Sequence, residues 1–230
     1  MQAVVLAAGK GKRLQPLTHH KPKGMALLSG KPLLWFVLDS LKKSGVTESI
    51  IVTGYLGEQI QSYFGRQFKK MKLEYAEQKQ QLGTAHALLQ AKQKVKGDFL
   101  MIHGDVIVSP KDLKALMQLK GFPAIMVLRK EKQPEKFGVV VTEDKLVAEI
   151  MEKPQAPKTD LVNAACYKFS PEIFESLEKT KINPERKEFE LTDTLKSLLK
   201  EKKVGFHLAT EKIFDIGTIE ELRDAKKEIG

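Results

Sequence analysis

A run of glycines among cations and two well-separated aspartates are the residues here best suited to handling polyphosphate. Leu6-Ala7-Ala8-Gly9-Lys10-Gly11-Lys12-Arg13 interleaves glycine with fixed positive charge, and Pro22-Lys23 follows. Glycines there let backbone N–H groups approach phosphate oxygens closely, while the lysines and arginine balance the charge. Asp105, in Gly104-Asp105, and Asp215, in Asp215-Ile216-Gly217-Thr218, are each expected where a strand ends. A hard divalent cation such as Mg2+ needs one or two such carboxylates, with waters and phosphate oxygens filling its other positions. Taken singly, each aspartate reads as a turn residue or helix cap. Together, beside a phosphate loop, they favour a magnesium site.

Charge placement supports the loop. Residues 1–38 contain no Asp or Glu but hold Lys10, Lys12, Arg13, Lys21, Lys23 and Lys31, with His19 and His20 among them. The whole chain carries 39 basic and 29 acidic residues, a net +10 that favours anionic partners. A plain surface loop with scattered lysines is the competing reading, and the absence of any acid weighs against it. Later lysine runs alternate with other residues and read as solvated faces. A dinucleotide fingerprint fails because Leu14 stands where its third glycine belongs and Pro16 where its helix would run. The P-loop pattern has no match.

Gln78 follows a strand expected over 73–76, and its amide matches the O4 and N3–H edge of uracil or thymine; flipped, it serves cytosine. Gln80 and Gln81 read more simply as a polar turn. Glu152-Lys153-Pro154 ends another strand with a carboxylate for sugar hydroxyls and a lysine for a sugar phosphate. On the tripeptide alone, an exposed ion pair before a proline loop is the stronger reading. Asn163 is a further hydroxyl reader on the next strand. His103 is read as a hydrogen-bonded core residue, His86 as lying along its helix and Cys166 as a small core residue. Trp35 and Phe36 suit core or oligomer contact, so a homo-oligomer stays open.

The elements that must position these residues alternate. Strands are expected over 3–6, 49–53, 73–76, 99–102 and 124–129. Helices are expected from Pro32 to Gly45 and over 58–64, 84–95 and 110–119. That alternation calls for an α/β fold, a Rossmann-like three-layer αβα sandwich on a mixed, mostly parallel sheet. After residue 135 come a hairpin (138–142 and 146–151), a strand over 161–169, helices over 171–177 and 189–199, strands near 204–209 and 214–217, and a closing helix over 219–229. No repeat or long linker divides the chain, so a single domain over 1–230 in two lobes is expected.

Composition bounds the class. With 42% hydrophobic and 30% charged residues the chain is globular rather than disordered. One cysteine excludes an internal disulfide framework and suits a reducing compartment. The longest clean apolar run, 33–38, is far short of the ~20 residues of a membrane span. The basic residues follow the first apolar stretch, opposite to a secretion leader. A soluble, cytoplasmic protein with no membrane partner is expected.

The order of these motifs resembles the sugar-phosphate nucleotidylyltransferases across nearly the whole chain. The long signature runs from Leu6 to Thr18 and on through Lys21-Pro22-Lys23-Gly24-Met25. Gln81-Leu82-Gly83-Thr84-Ala85, Gly104-Asp105, Gly138-Val139-Val140, Glu152-Lys153-Pro154, Asn163 and Asp215-Ile216-Gly217-Thr218 follow in the family's order. The resemblance implies attack by a sugar 1-phosphate on a nucleoside triphosphate, with the nucleotide in about 1–110 and the sugar phosphate in about 111–230. By the same resemblance Arg13 and Lys23 are catalytic, holding the phosphates. Leu6, Ala7, Ala8, Gly9, Gly11, Gln78, Gly83 and Thr84 line the nucleotide. Gly138, Glu152, Lys153 and Asn163 face the sugar phosphate, and Asp105 with Asp215 carries Mg2+. UTP or dTTP is preferred, ahead of CTP and GTP.

The departures from the pattern are Lys12 where Thr is frequent, Gly24 where a second Pro is common, and Ala165 where Gly is usual. The chain ends at Gly230 without the left-handed β-helix of bifunctional relatives, so acetyltransferase activity is not expected. Two other classes compete. A non-catalytic regulator that binds nucleotide-sugar would usually lose the aspartates or loop cations retained here. A nucleic-acid binder would show basic stretches interleaved with aromatics, which are missing.

Overall fold

A computed structural model describes residues 1–229. The first half builds parallel sheet. β1 (Gln2–Ala7) lies between β4 (Glu48–Thr53) and β7 (Phe99–His103), and β6 (Met71–Glu77) extends beyond β4, all parallel. Short pairs β2 (Leu27–Leu28) with β3 (Lys31–Pro32), and β5 (Gln67–Phe68) with β6, had no sequence signal. The helices of this half are α1 (Leu33–Ser44), α2 (Gly57–Phe64), α3 (Thr84–Leu89) and α4 (Pro110–Gln118), with the two-residue β8 (Val106–Ile107) after β7.

The second half extends the same sheet with mixed polarity. β12 (Leu161–Phe169) runs antiparallel between β7 and β9 (Ala124–Lys130), and β13 (Val204–Leu208) is parallel to β9. The hairpin β10 (Gly138–Glu143) and β11 (Leu146–Glu152) turns at Asp144, whose φ of 53° is left-handed. It touches β12 through Val139 opposite Val162 and β13 through Leu146 opposite Gly205. α5 (Ile173–Glu178), α6 (Leu191–Leu199), β14 (Phe214–Asp215) and α7 (Ile219–Ile229) complete the order.

Strand alternation sorts the core into two layers. Ala3, Val5, Ile51, Ile102 and Val127 pack against α1, α2, α4 and α7 on one face. Val4, Leu6, Ile50, Met101 and Met126 pack against α3, α5 and α6 on the other. The result is the expected three-layer αβα arrangement. No helix among the described residues is long and apolar enough to cross a membrane.

Two helices are shorter than their periodicity predicts. The helix expected over 84–95 ends at Leu89, where Gln90 and Ala91 bond back to Ala87 and Leu88 and tighten the last turn. The Gln2 amide then binds the backbone of Lys94 and Lys96, at 3.0 and 2.8 Å, and feeds the chain into β7. The helix expected from Phe189 starts at Leu191, because the backbone of Phe189 is bonded elsewhere, to Leu82 and Ala85.

Candidate active site

The carboxyl ends of β1, β6 and β7 open into a cavity of about 650 Å³. In open α/β sheets this edge is where ligands are held. The ladder continues past the strand ends: Gly104 N–H donates to Leu6 O at 2.9 Å and Gln78 N–H to Thr53 O at 2.7 Å. Those two bonds aim Asp105 and Gln78 at the cavity. Leu6, Ala7, Ala8, Gly9, Gly11, Lys23, Gln78, Gly83, Thr84 and Asp105 all line it. The loop between β1 and Lys23 is fastened on both sides. Gly11, at φ 65°, accepts the buried Thr18 hydroxyl at 2.8 Å, while Tyr55 Oη and Gln59 Nε2 donate to the carbonyls of His19 and His20.

Lys23 is the inner cation and its ammonium contacts the Asp105 carboxylate. Burial pushes Lys23 down to about 8; Asp215 pulls against that, Arg13 adds to it, and Glu221 opposes it again. Arg13 is exposed and does not line the cavity. Its guanidinium instead packs on Gly217, where a Cβ would lie 2.8 Å from Nη2, in the segment that carries Asp215. β14 pairs antiparallel with β8, setting Asp215 opposite Val106, and Ile216 N–H donates to Asp105 O at 3.0 Å. Asp105, in the turn just before β8, and Asp215, 110 positions later on the strand paired with β8, are thereby brought side by side along the backbone. Arg129 Nη2 stands 3.6 Å from Asp215 Oδ2. Glu221 accepts the N–H groups of Gly217 and Thr218 while Thr218 Oγ1 accepts Glu221 N–H, a capping box that fixes the start of α7.

Asp105 lines the cavity and Asp215, on the strand paired beside it, does not; as hard oxygen donors both are of the kind that suits Mg2+ completed by phosphate oxygens and water. Among the described residues no cluster of three or more acidic, His or Cys side chains forms a self-sufficient metal cage.

His103 differs from its sequence reading. It ends β7, paired with Leu6 through the backbone, and lines the cavity, while its imidazole has no hydrogen-bond partner among the described residues, so it is no bonded core histidine. Burial pushes its imidazole down to about 4, with Asp215 opposing and Lys23 adding, which keeps it neutral at physiological pH. Strand alternation gave the burial, but a position at the strand's carboxyl end decided which surface it meets.

Gln78 is buried, and its Nε2 donates to Gly83 O and to His86 Nδ1, each at 3.0 Å. His86 therefore turns onto Gln78 instead of lying along its helix. Gly83 has φ 103° and ψ 178°, and a Cβ there would stand 2.5 Å from Phe189 O. The segment before α6 crosses at this point, with Ala85 N–H donating to Phe189 O at 2.9 Å and Phe189 N–H to Leu82 O at 2.7 Å. Thr84 Oγ1 accepts Leu191 N–H at 2.9 Å and reaches Glu190.

The other predicted group assembles separately. Gly138 faces Glu152 across the hairpin, and a Cβ on it would lie 3.3 Å from Glu152 Oε2 and 3.8 Å from Asn163 Cβ. Asn163 is held by Tyr167 Oη, with Ala165 N–H donating to its Oδ1 at 3.0 Å. Lys153 is exposed, in a left-handed conformation at φ 45°, and its ammonium has no acidic partner among the described residues. Glu152 does not line the large cavity. It faces a smaller one of about 250 Å³ together with Arg186, Glu190, Asp193 and Lys196. Arg186 Nη2 binds Glu152 Oε1 at 2.7 Å and its Nη1 binds Glu190 at 3.3 Å. Sequence reasoning missed Arg186, Glu188 at the cavity rim, Glu221 and the roles of His86 and His103. The Thr218-x-x-Glu221 capping spacing was readable; the others come from chain crossings that leave no local pattern.

The profile of the nucleotidyl transferase family matches residues 2–230. The chain is 42% identical over 205 residues to the bifunctional protein GlmU of Methanocaldococcus jannaschii, covering 89% of this chain but only 48% of that protein. It thus spans about half the length of such relatives. The UTP–glucose-1-phosphate uridylyltransferase AglF of Haloferax volcanii is 35% identical, with 87% of this chain and 84% of that one covered. A glucose-1-phosphate thymidylyltransferase structure from Bacillus anthracis superposes with a TM-score of 0.88 at 26% identity, covering 99% of this chain and 95% of the other. A UDP-glucose pyrophosphorylase with bound UDP-glucose also gives 0.88, at 25% identity and 99% and 97% coverage. The chain belongs to the nucleotidyl transferase family.

Proposed function

We propose that this protein transfers a nucleoside monophosphate from UTP or dTTP to a sugar 1-phosphate, releasing pyrophosphate and forming a nucleotide-sugar. The observation that carries the reading is the convergence at one cavity of the glycine–lysine loop, the Gln78 amide and Asp105, with Asp215 paired alongside. An oxygen of the sugar phosphate attacks the α-phosphorus, and the bond from that phosphorus to the bridging α–β oxygen breaks. The nucleophile is already ionised, so no general base is needed; the obstacle is repulsion between two anions. Lys23 offsets charge at the reacting phosphates, and Arg13, which rests on Gly217 outside the cavity lining, would have to swing inward to meet the departing pyrophosphate. Asp105 and Asp215 would hold Mg2+, which supplies further charge neutralisation on the triphosphate.

The base is met by Gln78 and Gly83. Because Gly83 O can only accept, the Gln78 Nε2 must face it, which leaves Oε1 toward an N–H of the base. That disfavours the flipped amide that cytosine N3 would need. Gly138, Glu152, Asn163 and Lys153 form the sugar-phosphate side, to which Arg186 adds a cation.

A pyrophosphate-release panel crossing UTP, dTTP, CTP and GTP with several sugar 1-phosphates, glucose 1-phosphate first, tests the reading. Release is expected with UTP or dTTP and to fall at least ~100-fold in Arg13→Ala and Lys23→Ala, each charge contact being worth about 3 kcal/mol in the transition state. Wild-type rates in either variant would remove that residue's role.

A further inference from the structure

We propose that His86 is a positioning residue that fixes the Gln78 amide and thereby sets which nucleobase is accepted; this rests on the nucleotide-binding part of the reading above. The assignment follows from donor and acceptor chemistry. Gly83 O can only accept, so the amide atom 3.0 Å from it is Nε2. The second Nε2 hydrogen points at His86 Nδ1, also at 3.0 Å, while the Gln90 amide nitrogen stands 3.4 Å from His86 Nε2. A neutral imidazole has one lone-pair nitrogen, and since the Gln90 amide already donates to His86 O, the shorter contact puts the lone pair on Nδ1 and the proton on Nε2. Both amide donors are spent inside the protein. The Oε1 acceptor alone is left for a ligand.

Two anchors hold the amide where one would let it swing about its last torsion, which is broad for glutamine. His86 is itself held. It belongs to α3, the Gln90 amide donates to its backbone carbonyl at 2.9 Å, and the Phe189 ring stacks near it at 6.5 Å between centroids. Phe189 is the residue whose backbone docks on Leu82 and Ala85, so the crossing segment buttresses the imidazole from outside the cavity. His86 does not line the cavity, and it acts through Gln78.

Uracil or thymine offers N3–H to the fixed acceptor. Cytosine offers the bare N3 at the same place, setting two lone pairs against each other and leaving a buried acceptor unpaired. A site built around a fixed hydrogen bond rejects the mismatched partner strongly.

Calorimetric titration with UTP and with CTP, in magnesium buffer, tests the proposal without turnover. Wild type is expected to prefer UTP by about tenfold or more, one well-placed hydrogen bond being worth about 1.4 kcal/mol. His86→Leu should lose about tenfold in UTP affinity and most of the preference. His86→Asn, whose Oδ1 can replace the Nδ1 acceptor, should retain both. His86→Met repeats the test if the leucine variant does not fold. An unchanged UTP preference in the leucine or methionine variant, damage in His86→Asn as great as in His86→Leu, or a wild type that binds CTP as well as UTP would each overturn the proposal. Selective UTP binding without pyrophosphate release for any substrate pair would instead sink the catalytic reading and leave this one standing.

Discussion

Replacing Gly83 by alanine strikes the point where the base side of the cavity meets the segment leading to α6. At φ 103° and ψ 178° the residue occupies a region essentially restricted to glycine, so alanine costs about 1–3 kcal/mol in backbone strain alone. The new methyl would also stand 2.5 Å from Phe189 O and 2.9 Å from Glu188 Cβ, so the crossing segment must move. That motion breaks two backbone hydrogen bonds, Ala85 to Phe189 and Phe189 to Leu82, each worth about 1 kcal/mol net. Together the loss is about 3–5 kcal/mol, against a total stability of about 5–15 kcal/mol for an ordinary domain. Urea unfolding at neutral pH measures it, with Gly97→Ala as control, because a Cβ on Gly97 meets nothing within 4 Å. The control should stay within about 0.5 kcal/mol of wild type. KM for the nucleotide should rise as well, since Gly83 O anchors Gln78. A Gly83→Ala protein as stable as the control would refute the reasoning.

Three further outcomes follow from particular residues. Ala165 sits at φ 51°, a left-handed conformation that costs a non-glycine residue about 1–2 kcal/mol, part of which glycine returns through its freer unfolded chain. Ala165→Gly should therefore raise the melting temperature by ~2 °C, about 0.5–1 kcal/mol, and a lower melting point would contradict it. Burial alone would raise the Asp112 carboxyl, but Thr210 N–H, His207, Ser109 and the Thr210 hydroxyl outweigh it and hold the group below 3.8. Its contribution is present above pH 3.8 and is lost as pH falls through the lower folded value. Asp112→Asn should thus cost about 2 kcal/mol at pH 7 and flatten the acid side of a pH series of urea melts. An unchanged acid limb would refute the assignment. Asp105→Asn and Asp215→Asn should each raise the magnesium needed for half-maximal pyrophosphate release by at least ~tenfold, and an unaltered requirement would remove that aspartate from the cation site.

Much of the fold was legible because its signals are local. The β-branched and apolar runs at 49–53, 99–102 and 124–129 became strands, and Gly45 and Gly65 ended α1 and α2. The cavity lining from Leu6 to Gly11, with Lys23 and Asp105, was legible for the same reason, since a glycine-rich turn at a strand end has few uses. The helix drawn from Phe189 was not, because its first residues have helical propensity but their backbone groups bond to residues about 105 positions earlier. Nothing local marks Arg186, which lies 34 positions from the Glu152 carboxylate it binds.

By itself the sequence determined the alternating architecture, the excess of cation near the N-terminus and the chemistry of its loop. Periodicity, glycine and charge act over a few residues and need no partner to be read. Tertiary structure alone decided that Asp215 stands beside Asp105, that His86 holds Gln78, that His103 faces the cavity, that Glu152 gathers with Arg186 rather than around the first cavity, and that Asn163 packs near Gly138. Those are contacts between segments far apart along the chain, chosen by sheet order and burial, and no single stretch of residues encodes them.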